Sequence, residues 1–224
     1  MHRVLAALIA LAVAAPIAGA QILQVPRRSS DPLVWGSLSA GFLQFERNIV
    51  DGRTESVWDF GSSLQYRGSA ELGVGNSGAV GLAVGYANAP LTYYQLSGTA
   101  ITPDCPERCD AHAQVWTVMG TFHMGGGIGF HQIIDISAGT TIYRDFTTDD
   151  QSSAIGPQSP DRDISLSIGY GFGWGFGPRL QLMLVQDAAY TMHQRDGLSG
   201  GDSANSQQFT TRIGARVGLG SKAR

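Results

Sequence analysis

His123 and His131 stand on either side of a three-glycine run at 125–127. If two strands pair around Gly127, the imidazoles face each other with Cβ atoms about 4.5–5.5 Å apart. Two imidazoles could share a metal ion, but a zinc site normally recruits at least three protein ligands. Asp135 lies beyond His131 by about 13 Å of extended chain, too far to complete the set. The pair therefore reads as structural, and no metal ligands or cofactor-binding residues are assigned. Cys105 and Cys109 enclose a three-residue ring; without CxxC spacing or further ligands, they read as a disulfide candidate in an exported protein. His112, with Ser63 or Ser97, supplies the groups of an acyl hydrolase, yet nothing in the spacing brings them within hydrogen-bond reach. Asp149, Asp150, Asp161 and Asp163 lack the spacing of a calcium loop and read as solvated charge.

The remaining charges follow a pattern. Asp59, Arg67, Glu71, Asp135, Arg179, Asp187, Arg212 and Arg216 all fall on one side of a period-two alternation that runs through most of the chain. Residues 164–176 show it best. Ile164, Leu166, Ile168, Tyr170, Phe172, Trp174 and Phe176 share one face, and only Ser and Gly occupy the other. A helix would mix the two sets at about 100° per residue, so these are strands. The same alternation recurs over 55–75, 79–87, 112–124, 128–145, 179–193 and 208–219, with Trp58 and Phe60 on the apolar side of the first of these. A first strand at about 33–46 is less regular. Trp35 and Phe42 fall on opposite faces there, which allows a bulge.

Connections alternate between tight glycine-rich turns (75–78, 125–127, 177–178) and longer polar links (about 46–54, 88–111, 146–162, 194–207). Beginning and ending on the short-turn side requires an even strand number, and eight satisfies it. An eight-stranded interior is only wide enough for a filling of side chains. The Ser/Gly face of 165–175 suits that space, whereas its bulky companion face would overfill it. The apolar face therefore points outward, towards lipid. Trp58, Tyr86, Trp116, Tyr190 and Phe209 lie near the long-link end, and Phe122, Phe130, Trp174 and Phe176 near the short-turn end, as two interfacial girdles require. The charged residues, with His123 and His131, then line a polar lumen. Unpaired dry charge is too costly there, so mutual pairing or trapped water is expected.

The N-terminus agrees with export. Arg3 precedes an apolar run at 4–15, and Ala18-Gly19-Ala20 is an A-x-A cleavage signal. Residues 1–20 read as a signal peptide, too short in its apolar part to span a bilayer, and 21–224 as one mature domain. Only 15% of the chain is charged, against a formal net charge of −3, and cleavage would remove the further positive charge of Arg3. Mild acidity without a basic run argues against a nucleic-acid partner.

On these features the mature chain resembles the small eight-stranded bacterial outer-membrane β-barrel proteins. The resemblance implies an all-β, antiparallel, up-and-down transmembrane barrel in the outer membrane. It also implies contact with outer-membrane lipid and lipopolysaccharide, and delivery by periplasmic chaperones to the barrel-assembly machinery. The family's C-terminal assembly signal reads polar-x-Gly-x-x-hydrophobic-x-hydrophobic, and Arg212, Gly214, Val217 and Leu219 occupy its positions. This chain departs from it by closing on Leu219 instead of an aromatic and continuing to Arg224. The expected role is structural, in envelope integrity or in surface interaction through the long loops. A lipid-modifying hydrolase and a narrow pore are the alternatives.

Overall fold

A computed structural model describes residues 32–52, 54–74, 77–96, 105, 108–149, 153–157, 159–193 and 205–220. The expected signal peptide, Ser97, Asp150 and the tail at 221–224 lie outside the described residues. Among the described residues the alternating sequence becomes ten strands: β1 (Val34–Phe45), β2 (Ile49–Asp51), β3 (Ser56–Phe60), β4 (Ser63–Val74), β5 (Gly78–Gln95), β6 (Arg108–Met124), β7 (Gly129–Thr148), β8 (Asp161–Gly175), β9 (Leu180–Met192) and β10 (Asn205–Leu219). Eight of them, β1 and β4 to β10, pair antiparallel with their neighbours in chain order, and β10 returns to β1 from Val34↔Leu219 to Phe45↔Gln208. Closure leaves no sheet edge within the wall, which a bilayer demands because no water is there to bond exposed backbone groups.

The two additional strands come from the first long connection. β2 and β3 form a hairpin whose second arm pairs with the upper part of β5, from Ser56↔Gln95 to Phe60↔Leu91. The single strand expected over 55–75 is therefore two strands in tandem. Between them, residues 61–64 oppose only 88–90 of β5, so one extra residue is accommodated. Pro90, which has no N–H to give, accepts from Gly61 N at 2.8 Å. The extra residue reverses the parity of the faces: Leu64 and Tyr66 point outward, whereas Trp58 and Phe60 are buried inside. Trp58 thus does not belong to the outer girdle.

β1, by contrast, keeps one unbroken register against both β4 and β10, without the bulge the sequence allowed. Trp35 is accommodated within the lumen because Arg216 lies over its ring, 4.3 Å from the centroid. The second long connection is shorter than expected, since β5 and β6 carry on pairing through Tyr94↔Arg108.

Outside, the wall carries Leu38, Phe42, Leu82, Phe130, Ile168 and Ile213, each more than half exposed. A belt of this kind belongs against hydrocarbon. Tyr86 and Trp116 touch at 4.8 Å near its upper rim, and Phe130 stacks on Phe172 at 5.3 Å near its lower one.

Candidate functional site

The lumen holds the titratable groups, and it is filled in layers. At the short-turn end Arg216 binds one carboxylate oxygen of Glu71 through Nη2 at 2.6 Å and Nε at 3.2 Å. Ser69 donates to the other oxygen at 2.6 Å. Above this, Arg212 reaches two acids at once, donating from Nε to Asp187 at 2.5 Å and from Nη2 to Asp135. His123 Nδ1 lies 2.6 Å from the second oxygen of Asp135, and Nε2 lies 3.1 Å from the carbonyl of Gly125. Arg67 donates to Ser137, which donates in turn to Thr121, both at 3.2 Å. The cavity left among Arg67, Glu71, Asp135, Arg212 and Arg216 is about 10 Å³, at most one water molecule.

Hydroxyls follow: Thr141, Ser165 and Thr191 form a chain of contacts at 2.7 and 2.9 Å. Above them the interior becomes apolar. Leu43, Trp58, Phe60, Leu91, Tyr93, Tyr143 and Phe146 pack as one buried cluster, with Trp58 4.8 Å from Phe146 and 5.7 Å from Tyr143. Phe146 faces inward because of a second parity change. Asp145 adopts φ of 53°, at a register shift between β6 and β7, and turns outward to pair with Arg144 at 2.8 Å. This aromatic plug was missed in the sequence. Its signal was the continued alternation of Leu91, Tyr93, Ala111 and Ala113 past the girdle, hidden among polar residues that suggested a loop.

At the mouth, three connections converge. His193, fully buried just beyond β9, places Nδ1 2.9 and 3.0 Å from the two oxygens of Asp163. Its Nε2 faces Asp51 at 3.9 Å. Thr54 donates to Asp51 at 2.6 Å. Burial opposes protonation of this imidazole, but the Asp163 hydrogen bond and the carboxylates of Asp163, Asp161 and Asp51 outweigh it and raise its pKa above the ordinary imidazole value.

Several sequence expectations change. Asp59 is exposed on the outer face of β3, by the parity change at 61–64, and Arg179 is exposed in the turn before β9, so neither joins the lumen network. Arg67, Glu71, His123, Asp135, Asp187, Arg212 and Arg216 do converge there. His123 does not oppose His131; it opposes Asp135, the residue judged out of reach. The hairpin is longer than a tight turn about Gly127. Gly125, at φ of 120° and with space for no Cβ beside the Gln132 carbonyl, carries the chain into it. His131 lies further down, with Nδ1 3.1 Å from the Gly129 carbonyl. Ser63 faces inward and His112 sits on the outer side of β6, paired with Asp149 at 2.9 Å, so the wall separates that hydrolase pair. Cys105 and Cys109 are joined, with Cα atoms 5.4 Å apart. Within β10, Val217 and Leu219 face lipid, while Gly214 lies so close to β1 that a Cβ would fall 2.7 Å from the Leu38 carbonyl.

One surface depression, of about 480 Å³, is an outward groove bordered by Leu38, Tyr66, Val84 and Ile213, on the lipid side of the wall.

No protein-family model matches the chain. No curated protein matches it either. Solved structures do. Neisserial surface protein A (NspA) aligns over 83% of this chain and 97% of its own, with 13% identity and a TM-score of 0.51. The outer membrane protein OprG of Pseudomonas aeruginosa aligns over 86% and 100%, with 10% identity and a TM-score of 0.46. Strand number, closed up-and-down order, an apolar outer belt and the likeness to NspA together give this chain the fold of the small eight-stranded bacterial outer-membrane β-barrel proteins.

Proposed function

We propose that this protein is an integral outer-membrane barrel that works through its outward-facing mouth and loops and not as a conduit. The observation that carries the reading is the double closure of the lumen. Ion pairs of Arg212 and Arg216 fill the membrane section, and the cluster around Trp58 fills the section above it. An ion crossing would have to break buried charge pairs and then pass an apolar plug, each step costing several kcal/mol. Such a barrel is a rigid platform, and the parts left to act on other molecules are the connections that it holds at the cell surface. Envelope integrity or surface interaction through those connections is the role that such a platform supports.

Single-channel recording in planar bilayers tests this. The refolded wild-type protein is expected to give no unit conductance in molar KCl, and a Trp58→Ala/Phe146→Ala variant none either, because the ion pairs below remain. Stable open events from the wild type would show the narrow-pore reading to be the right one.

A further inference from the structure

We propose that Asp51, Asp161 and His193 bind one divalent transition-metal ion, of the class of zinc, at the outer mouth of the barrel. The three residues come from β2, from the first position of β8 and from the position after β9, so each of three separate connections supplies one ligand. One ligand atom from each lies within 4.8 Å of the other two. Small side-chain rotations bring all three within the bond lengths of about 2.0–2.2 Å that zinc requires.

The imidazole gives the cluster its direction. In the neutral ring, an Nδ1–H donated to Asp163 leaves the lone pair on Nε2. That nitrogen is fully buried and has no hydrogen-bond partner among the described residues, and it points into the space it shares with the Asp51 carboxylate. A buried ring nitrogen left without a hydrogen-bond partner is costly, and a cation held between it and the neighbouring carboxylates would remove that cost. A carboxylate on the far nitrogen of a histidine is also how proteins orient and strengthen a metal-ligating ring. Asp51 is held in turn by Thr54. The donor set selects among cations. One imidazole nitrogen with carboxylates suits zinc and its neighbours, whereas calcium and magnesium take oxygen shells. Bound there, the ion would tie the first, third and fourth connections together directly beside Trp58, whose ring lies 5.3 Å from His193. The competing occupant is a proton on Nε2, with a simple His–Asp ion pair in place of a metal.

Cobalt(II) separates the two. The full chain, folded in detergent and stripped with a chelator, is titrated with Co²⁺ while the visible d–d absorption is followed, then back-titrated with Zn²⁺. One equivalent of Co²⁺, displaced by Zn²⁺, is expected. Affinity should fall at least tenfold in His193→Gln and in Asp161→Asn, and about 10–100-fold in Asp163→Asn, which removes only the orienting carboxylate. His112→Gln, at the exposed pair with Asp149, should leave it unchanged. Unheated gel mobility confirms that each variant is folded. Absence of stoichiometric Co²⁺ uptake by the folded wild type, or uptake that survives His193→Gln, overturns the proposal in favour of the proton.

Discussion

Arg212→Met is the most informative single perturbation of the lumen. Its guanidinium serves two carboxylates at once, Asp135 and Asp187, and all three side chains are no more than 7% exposed. Met keeps most of the volume and removes the charge. The two acids are then left near each other, with His123 beside only one of them. Removing one partner of a buried pair typically costs about 3–5 kcal/mol, and one cation shared by two acids belongs at the upper end. Asp187→Asn added to Arg212→Met takes away one of the stranded charges. The double variant should therefore recover part of the loss, with a coupling energy of about 1–3 kcal/mol. Urea titration of barrels folded into lipid vesicles measures both, read by tryptophan fluorescence and by unheated gel mobility. A single variant within about 0.5 kcal/mol of wild type would refute the reasoning, as would strict additivity in the double. Either result would mean that water, and not the arginine, carries the solvation of these acids.

Four further outcomes are expected. Ile168→Arg places a charge on the lipid face of β8 and should cost about 2–4 kcal/mol in the same titration, against almost nothing for Ile168→Leu. Trp58→Ala should cost about 3–5 kcal/mol, and Asp59→Asn beside it less than about 0.5; the opposite ranking would restore the parity expected from sequence. Thiol labelling of the unfolded, unreduced protein should find no free cysteine, and reduction should cost no more than about 2 kcal/mol because the ring between Cys105 and Cys109 is so short. Deleting 217–224 removes the pairing of Val217, Gly218 and Leu219 with the start of β1 and should abolish the compact form on unheated gels, whereas deleting only 221–224 should not.

The membrane wall was legible because a period of two, sustained over long runs, leaves few alternatives. Residues 164–175 fall in β8 with each side chain on its expected face. Ion pairing in the lumen was legible in kind, since charge on an inner face must be compensated, but not in partner. Which acid meets which base depends on register across hairpins, and a glycine run does not state its own register. The His123–Asp135 contact arises because the turn after β6 takes in more chain than 125–127 alone. The cluster of Asp51, Asp161, Asp163 and His193 was invisible for a related reason. Its members are distant along the chain and meet only where three connections fold over one end of the barrel.

The aromatic plug shows why alternation misleads at one particular height. Within the bilayer the apolar face must point out; above it, in water, the same wall must turn its apolar face in. The strands cross that boundary in two ways. β5 and β6 keep their phase and exchange residue types: inside, Ala79 and Ala83 give way to Leu91 and Tyr93, while outside Val80, Leu82 and Val84 give way to Asn88, Pro90 and Thr92. The β3–β4 segment and β7 instead keep apolar and polar residues in alternation and shift the phase by one, through the extra residue at 61–64 and the left-handed Asp145. Both devices meet the same requirement, and both are read wrongly if the lipid-facing code is extended beyond the lipid. Asp59 and Trp58 were misplaced together for this reason. The bulges are therefore where one strand changes solvent, and the residues just above them, including Trp58 and Phe146, close the barrel against the water outside.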